Sequence, residues 1–247
     1  MRACQGAGFE YGFEYNEGRA RASLVRAARA LTMLSSLEIQ QSDDQQVRSA
    51  DVSRWRAICL FTLGAFLGLG LAAYAVGILP GDLQVRSELR TEDPSALRTF
   101  ARWVNLAGTW RVLLPASLVI AALSRAARRH WWLWAGTFLA AGALEKAVKF
   151  LVDRPRPSGF SVGFPSGHAT AAAVFAVIAV YLVSRALLCP AARLCLQIMA
   201  VAMMILVGWA RIVLHAHWPT DVLGGLLLGT GCAAAAIWWV TSRPAAS

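Results

Sequence analysis

Three short stretches of this 247-residue chain collect groups suited to holding an anion and moving protons beside it. The first is Lys149, six residues, then Arg156-Pro157; the second is Pro165-Ser166-Gly167-His168; the third is Arg211, five residues, His217, three residues, Asp221. Arg156 and Arg211 carry planar guanidinium forks that can grip a phosphate at two points, and Lys149 adds a point charge. Phosphoryl transfer asks mainly for such positioning and for positive charge around three spreading equatorial oxygens. Pro165-Ser166-Gly167-His168 lies just where an apolar segment begins. A helix starting there exposes unpaired backbone N–H groups that favour an anion. Ser166 is expected to cap that helix and donate to a phosphate oxygen, and Gly167 to admit a close backbone approach. The chain has two lysines, Lys146 and Lys149, against 22 arginines, and both fall in one apolar stretch. A charge there is costly and marks function by default. Glu145, one helical turn before Lys149, is a ready partner for it.

The elements that must position these groups read as helices in a bilayer. The chain is 57% hydrophobic and 15% charged, too apolar for an ordinary water-exposed domain. A bilayer core about 30 Å thick takes roughly 20 apolar residues to cross as a helix. Six such spans are expected, at about 57–79, 103–124, 131–152, 168–188, 195–214 and 221–240, with the second diluted by Asn105, Thr109, Arg111 and Pro115. The expected fold is therefore all-α, an integral membrane bundle of six transmembrane helices over residues 55–243. Trp55, Trp103, Trp131, Trp132, Trp134, Trp218, Trp238 and Trp239 fall near span ends, where indole rings favour the membrane–water interface. Small residues four apart, Gly64 with Gly68 and Gly225 with Gly229, allow close helix approach, within the chain or between copies.

Residues 1–54 are polar and are expected to form a disordered cytoplasmic tail, with a basic amphipathic helix over 19–31 as the alternative. No apolar h-region follows Met1, so no cleaved signal peptide is expected. The 80–102 link is the longest between spans; a short helix is expected after Pro94, either as a surface connector or shaping substrate entry. Arginines crowd one set of links: Arg54 and Arg56 before the first span, Arg125, Arg128 and Arg129 after the second, Arg185 and Arg193 after the fourth, and Arg243 at the end. The positive-inside bias then places both termini in the cytoplasm. Two crossings separate the link carrying the first two stretches from the link carrying the third, so all three share a face, the extracytoplasmic one. The net charge of +10 is scattered between apolar helices rather than gathered on one surface, which argues against nucleic acid as a partner. The cysteines Cys4, Cys59, Cys189, Cys195 and Cys232 show no metal-ligand or disulfide pattern.

Taken in order and with their spacings, the three stretches resemble the signature of the type-2 phosphatidic acid phosphatase superfamily, over roughly residues 145–230. The resemblance implies hydrolysis of a lipid phosphate or diphosphate with no metal and no cofactor. His217 would be the nucleophile, forming a phosphohistidine. Asp221 would hold its ring, and His168 would protonate the leaving oxygen and later activate water. Lys149, Arg156, Ser166, Gly167 and Arg211 would bind the phosphate. With one histidine neutral and the other protonated, a bell-shaped pH profile is expected. Thr220 is expected to cap the last span. His215, whose spacing to Asp221 does not fit, is assigned a supporting role, and His130 a place at the membrane interface. Two departures stand out. Many relatives carry serine where this chain has Ala210, a lost donor worth about 0.5–1.5 kcal/mol. Only seven residues separate Pro157 from Pro165, which leaves no room for an elaborate lid. The implied partners are a membrane lipid substrate and the bilayer, and the implied location is a bacterial inner membrane with the site facing the periplasm. Undecaprenyl diphosphate, phosphatidic acid, phosphatidylglycerol phosphate and lipid A phosphates are the candidate substrates. Phosphotransfer to an alcohol, and a non-catalytic transporter or scaffold, are the alternative functions.

Overall fold

A computed structural model describes residues 7–88, 94–159 and 162–243. Among them the regular structure is entirely helical: α1 (Ala7–Val76), α2 (Pro80–Glu88), α3 (Pro94–Ala107), α4 (Trp110–Leu123), α5 (Arg125–Arg129), α6 (Trp131–Val152), α7 (Gly167–Ser184), α8 (Pro190–Val213) and α9 (Pro219–Ser242). The chain divides into two units, Met1–Asp51 and Val52–Ser247.

In the first unit the described backbone is helical from Ala7 onward. Alanine, arginine, leucine, glutamate and glutamine dominate it, and these residues favour helix without needing a core to pack on. In the basic amphipathic helix expected as the alternative over 19–31, Leu24, Ala28 and Leu31 would form the apolar side; their side chains lie outside the described residues.

In the second unit, α7 and α9 form the centre. Alanines 169, 172, 173 and 176 of α7 are buried, as are Gly225 and Gly229 of α9. A Cβ at Gly225 would run into the Ser166 carbonyl oxygen, and one at Gly229 into that of Thr170. The Gly225–Gly229 pair therefore serves packing within the chain. Among the described residues nothing lies within 4 Å of a Cβ built at Gly64 or Gly68, so that pair closes no contact among them. Two aromatic contacts fasten α1 and α6 to this centre. Trp55 and Trp134 each lie 6.1 Å from the Tyr181 ring. Both indoles are buried, at 6% and 7% exposure, whereas Trp103, Trp131 and Trp132 face outward as the interface reading expected.

Among the described residues, four helices are long and apolar enough to cross a membrane: the Ile39–Val76 part of α1, α7, α8 and α9. A bent pair makes a fifth if it is counted as one span. The residues of the expected third span form a helix, α6, 22 residues long, but Glu145, Lys146, Lys149 and three tryptophans weaken its apolar run and it is not among these. The expected second span is not one straight helix. Residues 96–107 and 110–123 meet at 48° across Gly108 and Thr109. The break sits at a close approach: a Cβ at Gly108 would lie 2.6 Å from Val207 Cγ1 and 3.4 Å from His168 Cβ. The polar residues that dilute this span sit where the chain bends against the second stretch.

Candidate active site

Each stretch occupies a helix end. Lys149 is in the last turn of α6, which Asp153 closes in the left-handed region at φ 40°, ahead of two prolines that cannot continue a helix. Arg156 follows in the link and donates from Nε and Nη2 to the Val162 carbonyl at 3.4 Å. Ser166 is the N-cap residue of α7, and His168 lies in that helix's first turn. Arg211 is in the last turn of α8, and Asp221 in the first turn of α9. His217 lies between them, just before Pro219.

The tertiary fold draws these ends together. His217 Nδ1 lies 3.4 Å from Asp221 Oδ2, both groups buried. The Asp221 Oδ2 atom also accepts the Trp218 N–H at 3.0 Å, which fixes the carboxylate across the start of α9. The Ser166 N–H donates to the Asp221 carbonyl oxygen at 2.9 Å, tying the second stretch to the third. The charges of Arg211, His217, Lys149 and Arg156 all act on His168. Those of Arg211, Asp221 and Arg156 act on His217. Two imidazoles thus share surroundings with three cations. Burial pushes the His217 ring below its usual value of 6.5, Arg211 and Arg156 push the same way, and the hydrogen bond and charge of Asp221 oppose them. The net direction favours a neutral ring, whose Nδ1 faces Asp221 and whose Nε2 is the nitrogen left for other chemistry.

The cations are held in place differently. Lys149 pairs with Glu145 one turn back, as its spacing suggested. Arg211 donates from Nη1 to the Asn105 side-chain oxygen at 2.7 Å, while its Nε is buried with no partner among the described residues. Gly167 is packed against Glu145, whose Oε1 would be 2.7 Å from a Cβ there, so close approach is needed at this glycine.

Two capping expectations differ from the structure. Ser166 stands at the N-cap, but its side chain makes no capping bond. Its buried hydroxyl has no partner among the described residues. Its backbone is what bonds: the carbonyl accepts from Thr170 N at 2.9 Å, and the N–H donates to Asp221 as above. Thr220 is not the cap of α9; Trp218 is. The Thr220 hydroxyl and N–H both turn to Asp82, at 2.8 and 2.9 Å. His215 has φ 54° and receives Arg86 Nε at 3.4 Å on Nδ1. His130 packs edge-on against Trp134 at 6.4 Å.

Sequence reasoning missed three contributors. Asn105 reads only as a polar interruption of a span. Arg154 reads as one more arginine in a link, yet it is buried at 1% exposure and donates to Asp221 Oδ1 at 2.7 Å. Asp82 pairs with Arg154 and caps the start of α9 from 138 residues away. The Asp-Arg-Pro-Arg-Pro run around Arg154 was a faint signal; Asp82 had none.

Comparisons with known proteins point to one family. Residues 129–245 match the family model of the PAP2 superfamily. A Bacillus subtilis (strain 168) protein named phosphatidylglycerophosphatase B is 36% identical over 133 residues, which is 49% of this chain and 64% of that protein. An Escherichia coli (strain K12) protein with the provisional name undecaprenyl-diphosphatase YbjG is 39% identical over 77 residues, 31% of this chain and 34% of its own length. The chain thus spans less than two thirds of either relative. A crystal structure described as the first transmembrane PAP2 type phosphatidylglycerolphosphate phosphatase from Bacillus subtilis shares the fold with a TM-score of 0.64 at 27% identity. The match covers 72% of this chain and 93% of that one.

Proposed function

We propose that this chain, which belongs to the PAP2 superfamily, hydrolyses the phosphate of a membrane lipid through a phosphohistidine at the extracytoplasmic face. One observation carries the reading: a buried His217, backed by Asp221 at 3.4 Å, lies under the charges of Arg211 and Arg156. In the proposed reaction, Nε2 of neutral His217 forms a bond to phosphorus as the bond to the leaving oxygen breaks. His168 gives that oxygen a proton. Asp221 balances the positive ring while Arg156, Arg211, Lys149 and the Ser166 hydroxyl hold the equatorial oxygens. Water then attacks the phosphohistidine, His168 takes its proton, and phosphate leaves.

A lipid substrate is supported by a cavity of 540 Å³ between α4, α6 and α7, lined by Trp110, Leu113, Phe138, Ala171, Phe175 and other apolar side chains. Ala171 is one turn along α7 from His168, so a chain lying there would lead toward the catalytic groups. Six crossings, with α6 and the bent α3–α4 pair each counted as one, would put both termini in the cytoplasm and the site at the outer leaflet. The names of the relatives favour undecaprenyl diphosphate or phosphatidylglycerol phosphate, with phosphatidic acid as the simplest member of the class. The test is phosphate release in detergent from these three lipids, with and without EDTA. Release from at least one, undiminished by chelator, is expected; no release from any of them, or strict magnesium dependence, overturns the reading.

A further inference from the structure

Behind Asp221 lies a second tier of buried charge. Arg154 Nη1 donates to Asp221 Oδ1 and to Thr220 Oγ1, each at 2.7 Å, and its Nη2 pairs with Asp82. The side chains of Arg154, Asp82 and Asp221 are all 0% exposed. Asp82 is further fixed by the N–H groups of Leu79 at 3.1 Å and Thr220 at 2.9 Å. A second link joins α2 to the same region: the Arg86 guanidinium stacks 5.1 Å over the Trp218 ring.

Burying an ion triad is a poor way to gain stability, since apolar residues of similar volume often do as well or better. This triad has a different consequence. Two carboxylates share one guanidinium, so the cluster keeps one surplus negative charge, and Asp221 Oδ2 is the oxygen that presents it to His217. Arg154 occupies the outer oxygen and prevents the carboxylate from turning away. Without Asp82, the guanidinium would have Asp221 as its one carboxylate partner and would draw that charge off the ring.

We propose that Asp82 and Arg154 are positioning residues for the nucleophile, with Arg154 aiming Asp221 at His217 and Asp82 anchoring Arg154 from α2. On this view α2 is part of the catalytic apparatus rather than a surface connector. The inference rests on the phosphohistidine reading above. It concerns groups that touch neither substrate nor reacting atoms, so its signature is a loss in kcat without a matching change in KM.

The test uses the full chain in detergent, with dioctanoyl phosphatidic acid as probe, comparing wild type, Asp82→Asn, Arg154→Lys and His217→Ala. Outer partners that orient metal-ligating side chains contribute roughly 10–100-fold to activity, and partners that orient a catalytic carboxylate are expected to act on the same scale. Asp82→Asn and Arg154→Lys should lower kcat by about that factor, with KM within about threefold of wild type, and slow trapping of the phosphoenzyme equally. Should either fail to fold, Thr220→Val removes only the hydroxyl between the two charges and is expected to lower kcat about three- to tenfold at unchanged KM. Wild-type kcat in the folded variants, or a loss confined to KM, overturns the proposal. Turnover retained by His217→Ala overturns the phosphohistidine reading instead, so the two failures are distinguishable.

Discussion

Ser166 and Asp221 are joined through their backbones, N–H to carbonyl at 2.9 Å, and this bond sets the start of α7 against the start of α9. The Ser166 hydroxyl, spared any capping duty, stays buried with no partner among the described residues. A buried hydroxyl left unpaired costs stability, while a donor waiting for an oxyanion is worth most in a water-poor site.

Ser166→Ala is therefore expected to move the two properties in opposite directions. Thermal stability in detergent should hold or rise by up to about 1 kcal/mol, and kcat should fall by on the order of 10²-fold. A variant that melts earlier yet turns over normally would assign this hydroxyl to structure.

His217→Ala should abolish phosphate release and acid-labile phosphoenzyme while leaving the protein monodisperse in detergent. His168→Ala should lose most of its activity on esters with poor leaving groups and retain more on p-nitrophenyl phosphate, which needs little proton assistance. Equal losses on both substrates would remove His168 from the role of general acid.

The pH dependence has a definite sign. His217 binds its proton less readily in the folded protein than its ordinary value of 6.5 implies, chiefly through burial. The acid limb of kcat/KM, which reports the free enzyme, should therefore lie below pH 6.5. The same shift contributes stability that is full above 6.5 and is lost as pH falls through the lower folded value, because the unfolded chain then binds the extra proton. An acid limb of wild-type kcat/KM at or above 6.5 would contradict this direction.

Asn105→Ala removes the side-chain acceptor that orients Arg211 at 2.7 Å. Loss of this charge-assisted bond should cost about 1.5–3 kcal/mol of stability or of transition-state binding. Steady-state kinetics and thermal melting together decide which. Unchanged values in both would mean that the α3–α4 break does not support the site.

Gly229→Ala places a methyl group against the Thr170 backbone, and backbone cannot rotate aside. A destabilisation of about 1–3 kcal/mol is expected, whereas Gly64→Ala, with open space around it, should be neutral or slightly stabilising in its helix. Similar melting temperatures for the two would undermine the close α7–α9 packing.

The amino-acid sequence alone determined the helical class, the ends of the four helices that bear the signature, and a partnership that closes within one helical turn. Glu145 and Lys149 are four residues apart, a spacing that helix pitch brings onto one face; His217 with Asp221, also four apart, was implied by the family resemblance. The sequence could not determine Arg211 with Asn105, Arg154 with Asp221 or Asp82 with Thr220, which are 106, 67 and 138 residues apart. Nor did it reveal that Thr220 and the Ser166 hydroxyl would be released from capping. Only the tertiary structure decided these. Local geometry leaves a periodic trace in the chain, while a buried polar group takes whichever partner packing brings within hydrogen-bond reach.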